Sequence, residues 1–437
     1  MNTSLTPQTR NLDQWLDYIG QVHPKEIELG LARSRQVAKS MGLIRPAPQV
    51  VTVAGTNGKG STVACLEALL SAQGLRCGTY TSPHIHDFNE RIRVCGAPAE
   101  NTVICAAFLK IEKARGQVSL SYFEFATLAA LSIFEESELD VVVLEVGLGG
   151  RLDAVNIVDP DVSVITSIAL DHEDWLGNDR ETIALEKAGI LRNGMPFVCG
   201  DEDPPQSLLA KSRNLGCQLY RWRTDFQLET EGDQLQWRGK AGNGGALQYS
   251  ASMPAGLLAS NVACALQALA LLDLPWPIGA EQQGLDQCAI AGRQEWRQDR
   301  QNGTQILLDV AHNPAAAKAL AAGIEKWRST AVNPGKVIVV FAAMADKKVE
   351  DMAVCLETNT DIWYIAHFDD PRCLGAAELE NRLLKHGFSR PLRSFETLAE
   401  AYRVACDGAV DTPESGNCLV VVTGSFFTVA ELRNETR

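Results

Sequence analysis

Residues 50–62 read Val-Val-Thr-Val-Ala-Gly-Thr-Asn-Gly-Lys-Gly-Ser-Thr, and this stretch decides the fold. The β-branched run Val50–Ala54 predicts a buried strand, the glycines a tight turn, and the residues from Ser61 onward a helix. Strand, glycine loop and helix in that order form a phosphate cradle. Glycines let backbone N–H groups converge on phosphate oxygens, and the helix start adds the positive end of its dipole. Lys59 supplies a point charge for the β- and γ-phosphates, and Ser61 or Thr62 reaches a magnesium ion. Thr56, Asn57, Gly58, Lys59, Gly60, Ser61 and Thr62 are therefore the expected contacts of an ATP or GTP molecule. The spacing departs from GxxxxGK[ST]: only Thr56 and Asn57 separate Gly55 from Gly58-Lys59, and Gly60 intervenes before Ser61.

Working outward, short apolar runs at Val50–Ala54, Cys77–Thr81, Asp140–Glu145, Val162–Ser167 and Pro196–Cys199 alternate with helical stretches. That rhythm predicts an α/β protein with parallel strands covered by helices. Residues 217–250 are polar and glycine-bearing and read as a β-meander or hairpin appended to the main sheet. The rhythm restarts at Ile306–Val310, Lys336–Phe341, Ile362–Ala366 and Leu419–Thr423, so a second domain is expected, with residues 1–295 in the first and 296–437 in the second.

Forty Lys and Arg against 54 Asp and Glu give a net charge of −14, which excludes a diffuse attraction to nucleic acid or to an anionic membrane. An anionic ligand must be held by a local site. The 12 cysteines stand singly, with no CxxC pair for zinc or redox chemistry, and no run of 18 apolar residues or signal-like N-terminus occurs. A reduced, cytoplasmic protein is the expectation.

The second chemical stretch, Leu139–Asp153, is a buried strand ending in Glu145 and followed by Gly147, Gly149 and Gly150. A carboxylate at that position suits magnesium. Leu152 stands where a dinucleotide fingerprint needs its third glycine, which removes nicotinamide binding. Asp171, His172, Glu173 and Asp174 follow another strand end and, from local sequence, read as an exposed acidic turn; Lys187 reads as a solvated helix lysine.

Taken together, GTNGKGS, TSPHIHDFNERI (81–92), LEVGLGGRLDAVN (144–156), LDHEDWLG (170–177), EKAGI (186–190), Gly292-Arg293, LLDVAHNP (307–314) and TGSF (423–426) resemble, in order, the folylpolyglutamate synthases. The set is similar to the bacterial bifunctional dihydrofolate synthase/folylpolyglutamate synthases of the Mur ligase superfamily. The resemblance spans nearly the whole chain. It implies a P-loop NTPase-like N-terminal domain with a parallel-rich sheet flanked by helices, and a smaller Rossmann-like C-terminal domain that closes over the site and receives glutamate.

It also implies residue roles. Ser82, Glu145 and His172 match magnesium ligands, and Lys187 matches a lysine carbamylated by carbon dioxide, with two Mg2+ sites in all. Asn261, Arg293 and Asp309 match nucleotide contacts; Asp309, His312 and Ser425 match the glutamate side. The pterin pocket corresponds to Ser121, Tyr122, Phe123 and Glu124 with Leu152, Asp153 and Ala154. Phe123 and Phe125 also fit simple core packing, and His84 and His86 fit either a substrate-side loop or the surface.

The implied reaction is ATP-dependent ligation of L-glutamate to dihydropteroate and to reduced folates through an acyl phosphate, with Lys59, Lys187 and His172 as the catalytic groups. The implied partners are small molecules, and the expected state is a monomer. Two rivals stand beside it. A Mur-type cell-wall ligase is disfavoured because only about fifty residues precede the phosphate loop. A nucleotide-gated switch is disfavoured because it needs no second substrate domain.

Overall fold

Valine-rich strands without polar alternation must be covered on both faces, and this requirement organises the first half of the chain. The computed structural model describes residues 7–25, 27–43, 45–274, 276, 284–286, 288, 290–299, 301–410 and 417–435. It divides into two compact units: the described residues up to Pro254 together with Leu258–Cys288, and Ala255–Leu257 with the described residues that follow Cys288.

The first unit is built on eight strands: β1 (Gln49–Ala54), β2 (Cys77–Tyr80), β3 (Ile92–Val94), β4 (Ala97–Pro98), β5 (Val141–Glu145), β6 (Val162–Ile165), β7 (Pro196–Cys199) and β8 (Gln218–Arg221). Their order is β4-β3-β2-β5-β1-β6-β7-β8. All neighbours are parallel except β3 with β2 and with β4. β1 lies between β5 and β6, with Val51 opposite both Val143 and Val162. All five β5 residues are buried. On one face Val50, Val142 and Leu144 join a core with Trp15, Phe108, Phe125 and Phe134 from the helices Leu12–Val22, Asn101–Arg115 and Tyr122–Glu135. Each such aliphatic side chain contributes about 1.5–3 kcal/mol by leaving water. Helix Lys59–Ala72 packs beside helix Ala259–Ala270 and against β1, β2 and β5. The carboxyl ends of β1, β2, β5 and β6 thus gather at one edge, where open α/β sheets place their ligands.

Residues 217–250 are not one appendage of that sheet. Their first strand, β8, is its edge, whereas β9 (Gln227–Glu231), β10 (Gln234–Lys240) and β11 (Ala246–Ser252) form a separate antiparallel sheet in the order β11-β10-β9. The physical reason is the alternating burial of β10, whose Leu235 and Trp237 face inward while their neighbours face water.

The second unit contains β12 (Glu295–Gln298), β13 (Gln305–Leu308), β14 (Pro334–Phe341), β15 (Ile362–Ile365), β16 (Leu392–Ser394) and β17 (Asn417–Thr423), in the order β12-β13-β17-β14-β15-β16. Only β12 runs antiparallel to its neighbour. Helices Pro314–Thr330, Val349–Glu357 and Ala376–Lys385 cover one face, and Leu398–Val410 and Phe426–Glu435 the other. Among the described residues no helix is long and apolar enough to cross a membrane.

Candidate active site

The chain leaves β1 through Gly55 and enters helix Lys59–Ala72 at Gly58, whose φ of 88° is left-handed. A side chain at Gly58 would also overlap Asn261, and one at Gly55 would overlap the Thr166 hydroxyl, so both positions require glycine. The loop is held from the β6 side. Thr56 N–H donates to Ser167 O at 2.8 Å, Asn57 N–H to Ser167 Oγ at 3.1 Å, and the Thr166 hydroxyl to Asn57 O at 2.6 Å. Asn261 thus stands against the loop, and Ser61 and Thr62 are buried in the first helical turn. N–H groups at a helix start lack intrahelical acceptors, which makes this turn an anion cradle.

Lys59 Nζ folds back onto the loop and donates to Gly55 O at 3.1 Å and Thr56 O at 3.2 Å. Lys187 reaches the same place from the end of helix Arg180–Lys187, with Nζ donating to Gly55 O at 3.0 Å. It is buried, not solvated as its local sequence suggests. Burial, followed by the charge of Lys59, pushes its pKa down to about 7 against the opposing pull of Asp171 and Asp153. The amine is therefore readily neutral, the nucleophilic form of a lysine.

Glu145 ends β5, is buried, and accepts the Ser82 N–H at 3.1 Å. Its Oε2 would lie 3.6 Å from a Cβ on Gly60, which places the carboxylate beside the phosphate loop. His172 lies at the exposed start of the short helix Glu173–Leu176, with a left-handed φ of 51°. Among the described residues no three His, Cys, Asp or Glu are grouped to hold a metal. A serine, one carboxylate and one imidazole would fit a magnesium ion better with an anionic oxygen ligand in place of the Lys187 amine, because an amine in this position is a donor and not a ligand.

Of the pterin candidates, Phe123 meets the 147–154 loop that carries Leu152, Asp153 and Ala154. Its Cζ is 2.6 Å from where a Gly147 Cβ would be, and its ring is 6.0 Å from Tyr80. Phe125 belongs to the buried core, as its packing alternative anticipates. Asp153 is buried and accepts the N–H groups of Leu148 (2.8 Å) and Val155 (2.9 Å); burial raises its pKa to about 6 despite these bonds. Leu152 O accepts the N–H of Gly30, and Ala154 opens a buried short helix behind Asp153. Ser121 and Glu124 form a capping box at the start of helix Tyr122–Glu135. The Glu124 carboxylate is further bound by Arg33 Nε at 3.2 Å and by the Ser34 hydroxyl at 3.2 Å, so it holds the helix start to the N-terminal segment. His84 is not a free surface group: its Nδ1 accepts from Arg91 Nε at 2.7 Å, and burial followed by the Arg91 charge lowers its pKa to about 4.

In the second unit Asp309 follows β13 and accepts N–H groups from Gln294 (2.9 Å) and Ala311 (2.8 Å). Its pKa is raised by burial, against the Arg293 charge. Arg293 lies 5.3 Å from the centre of the Phe426 ring, and the His312 ring is 5.6 Å from it. Ser425 is buried next in sequence, its Oγ accepting the Phe427 N–H at 3.1 Å. Arg293, His312 and Ser425 therefore meet around Phe426, with Asp309 held beside Arg293. Phe426 was absent from the expected site residues although it closes the quoted TGSF. Thr166 and Ser167, also absent, close the expected strand Val162–Ser167, and in the structure they lie just past β6.

A phosphate loop beside a strand-end carboxylate and a buried lysine, with a second Rossmann-like unit, defines a Mur-type ATP-dependent ligase, and the family models agree. The Mur ligase middle domain matches residues 53–269, and the Mur ligase glutamate ligase domain matches residues 292–426. The chain belongs to the dihydrofolate synthase/folylpolyglutamate synthase family. It is 40% identical to the dihydrofolate synthase/folylpolyglutamate synthase of Escherichia coli, over 98% of this chain and 96% of that one. It is 37% identical to that of Haemophilus influenzae, over 99% of each. The structure of E. coli FolC in complex with DHPP and ADP superimposes with a TM-score of 0.89 at 38% identity, covering 98% of each chain. A bifunctional folylpolyglutamate synthase/dihydrofolate synthase with Mn, AMPPNP and L-glutamate bound gives 0.86 at 41% identity, also over 98% of each.

Proposed function

We propose that this ligase adds L-glutamate to dihydropteroate, forming dihydrofolate, and to reduced folates, forming folylpolyglutamates. The observation that carries the reading is the Lys187 amine, buried and lowered to about 7, hydrogen-bonded to Gly55 of the phosphate loop. Family membership and the ligands of its relatives support it.

Joining a carboxylate to an amine in water is uphill, so the carboxylate must first become an acyl donor. Its oxygen attacks the γ-phosphorus of ATP, the bond to the bridging oxygen breaks, and ADP leaves. Lys59 moves from Gly55 O and Thr56 O to the phosphoryl oxygens and balances their charge. The glutamate amine then attacks the acyl carbon, loses a proton, and phosphate departs with the C–O bond pair. No enzyme nucleophile is needed; orientation and exclusion of water from the mixed anhydride are the protein's tasks.

Thr56 to Thr62 and Asn261 are assigned to ATP, as are Arg293 and Asp309. Ser82, Glu145, His172 and the carbamate of Lys187 would hold Mg2+, in two sites, where the cation would neutralise phosphoryl charge. Ser121, Tyr122, Phe123, Glu124, Leu152, Asp153 and Ala154 are assigned to the pterin, and Asp309, His312 and Ser425 to glutamate. By this reading residues 1–295 serve ATP and pterin, and 296–437 serve glutamate.

The test is incubation with MgATP, labelled glutamate and dihydropteroate. One amide and one ADP per turnover are expected, and Lys59→Ala should make neither. ATP hydrolysis without amide from dihydropteroate or tetrahydrofolate would leave only the nucleotide switch.

A further inference from the structure

Arg91 closes the short helix Phe88–Arg91 and leads into β3, and it is 92% buried, with 8% exposed. Its Nε donates to His84 Nδ1 at 2.7 Å, which fixes the direction of the guanidinium fork. The same guanidinium lies 5.8 Å from the centre of the Phe88 ring and 5.6 Å from that of Tyr122. Among the described residues it forms no ion pair with a carboxylate. The adjacent Glu90 is taken by the N–H groups of Ile85, His86 and Asp87, at 2.7, 3.1 and 3.2 Å. Several other shielded arginines have one: Arg33 with Glu124, Arg93 with Glu67, Arg115 with Glu112, Arg382 with Glu350 and Arg433 with Glu295. A buried guanidinium facing aromatic rings without a carboxylate is costly, and such a cost is recovered when an anion arrives.

The location says which anion. Arg91 O accepts the N–H of Thr81, the residue before Ser82, whose own N–H is on Glu145. Tyr122, whose ring the guanidinium faces, precedes Phe123 of the pterin wall. Arg91 is thus tied through its backbone to the segment that carries Ser82, a residue assigned to the metal, and through its guanidinium to Tyr122, a residue assigned to the ring. Dihydropteroate carries one carboxylate, and that one is activated. A folate carries in addition the α-carboxylate of its glutamyl residue, close to the γ-carboxylate that reacts. We infer that Arg91 binds this α-carboxylate and sets the preference of the enzyme for folate over pteroate acceptors. This rests on the ligase reading above and adds a residue to its acceptor site.

The experiment compares kcat/KM for tetrahydrofolate and for dihydropteroate in the full chain and in Arg91→Gln and Arg91→Lys. Loss of one charged hydrogen-bonding partner shifts the ratio by about 10- to 100-fold against tetrahydrofolate, with Arg91→Lys recovering part of it. The wild-type chain given a tetrahydrofolate whose α-carboxylate is an amide should show a similar loss, with no further loss in Arg91→Gln. Equal losses for both acceptors, or an amide used as well as the acid, overturn the inference, and the wild-type measurement stands even where a variant does not fold. Failure of wild type to ligate either acceptor would instead defeat the ligase reading itself.

Discussion

Lys59 and Lys187, 128 positions apart (187 − 59), donate to the same carbonyl oxygen, that of Gly55, at 3.1 and 3.0 Å. Two ammonium groups on one oxygen in a buried place repel, and the more buried of them yields its proton more easily. The same closeness becomes attraction once Lys187 carries a negative carbamate. By the proposed carbamylation, the phosphate loop would feel two charge states of a residue from a different helix.

Carbamate on Lys187 should appear by 13C NMR after supply of labelled carbon dioxide, and should be absent from Lys187→Arg. Because the neutral amine is the reactive form, occupancy should decline as pH falls through about 7. Turnover in Lys187→Ala should drop by at least about a thousandfold, on the order of 4 kcal/mol of lost transition-state stabilisation, with partial rescue by short carboxylates. Full activity of Lys187→Ala would remove the role.

The same lysine gives a stability slope. The unfolded amine holds its proton to about 10.5 and the folded one only to about 7, so between these values the unfolded chain binds more protons and stability rises with pH. In carbonate-free buffer Lys187→Met should flatten that rise and raise Tm at pH 7 and below. An unchanged slope would contradict the buried position.

Asp153, held near 6 by burial, should give an acid limb. Turnover with dihydropteroate falls as pH drops through about 6, because the carboxylate there becomes protonated and loses acceptor strength. Asp153→Asn should show a lower plateau and no such limb. Persistence of the limb in the variant would assign it to another group.

Gly58→Ala should lose about 1–2 kcal/mol from its left-handed φ alone, and more from overlap with Asn261. Thermal melts and nucleotide titration measure both consequences. Asn261→Ala in that background should recover the overlap but not the backbone cost.

Phe426→Ala removes the ring shared by Arg293 and His312. A cation–π contact worth about 0.5–2 kcal/mol predicts a several-fold rise in KM, for glutamate and for ATP, with little change in the dihydropteroate KM. An effect on dihydropteroate alone would place the ring elsewhere.

What was legible beforehand follows from range. The phosphate loop, Glu145 and the restart of strands after Gln305 are local patterns, in which strand, glycine and helix succeed one another within a dozen residues. The burial of Lys187 was not legible in its local sequence, since its partner lies 132 positions away and a lysine at a helix end is ordinarily solvated; only the family resemblance implied a desolvated lysine beside a cation. Glu124 entered only as a pterin-pocket residue; its capping of the helix at Ser121 emerged with the structure, as did its bond to Arg33, 91 positions before it. The separate sheet β9–β11 was missed because a polar meander carries no mark of which sheet it joins. His172 stays as exposed as its acidic neighbours suggest; only the family resemblance gave it a metal-binding role.

The hydroxyls of Thr166 and Ser167 grip the Asn57 peptide by both its oxygen and its nitrogen. Nucleotide arrival should then freeze little main-chain motion in this turn. Calorimetry of binding should accordingly report a small entropic penalty from the cradle. Removing both hydroxyls should transfer that penalty to the ligand, as slower capture of a turn that has first to find its shape.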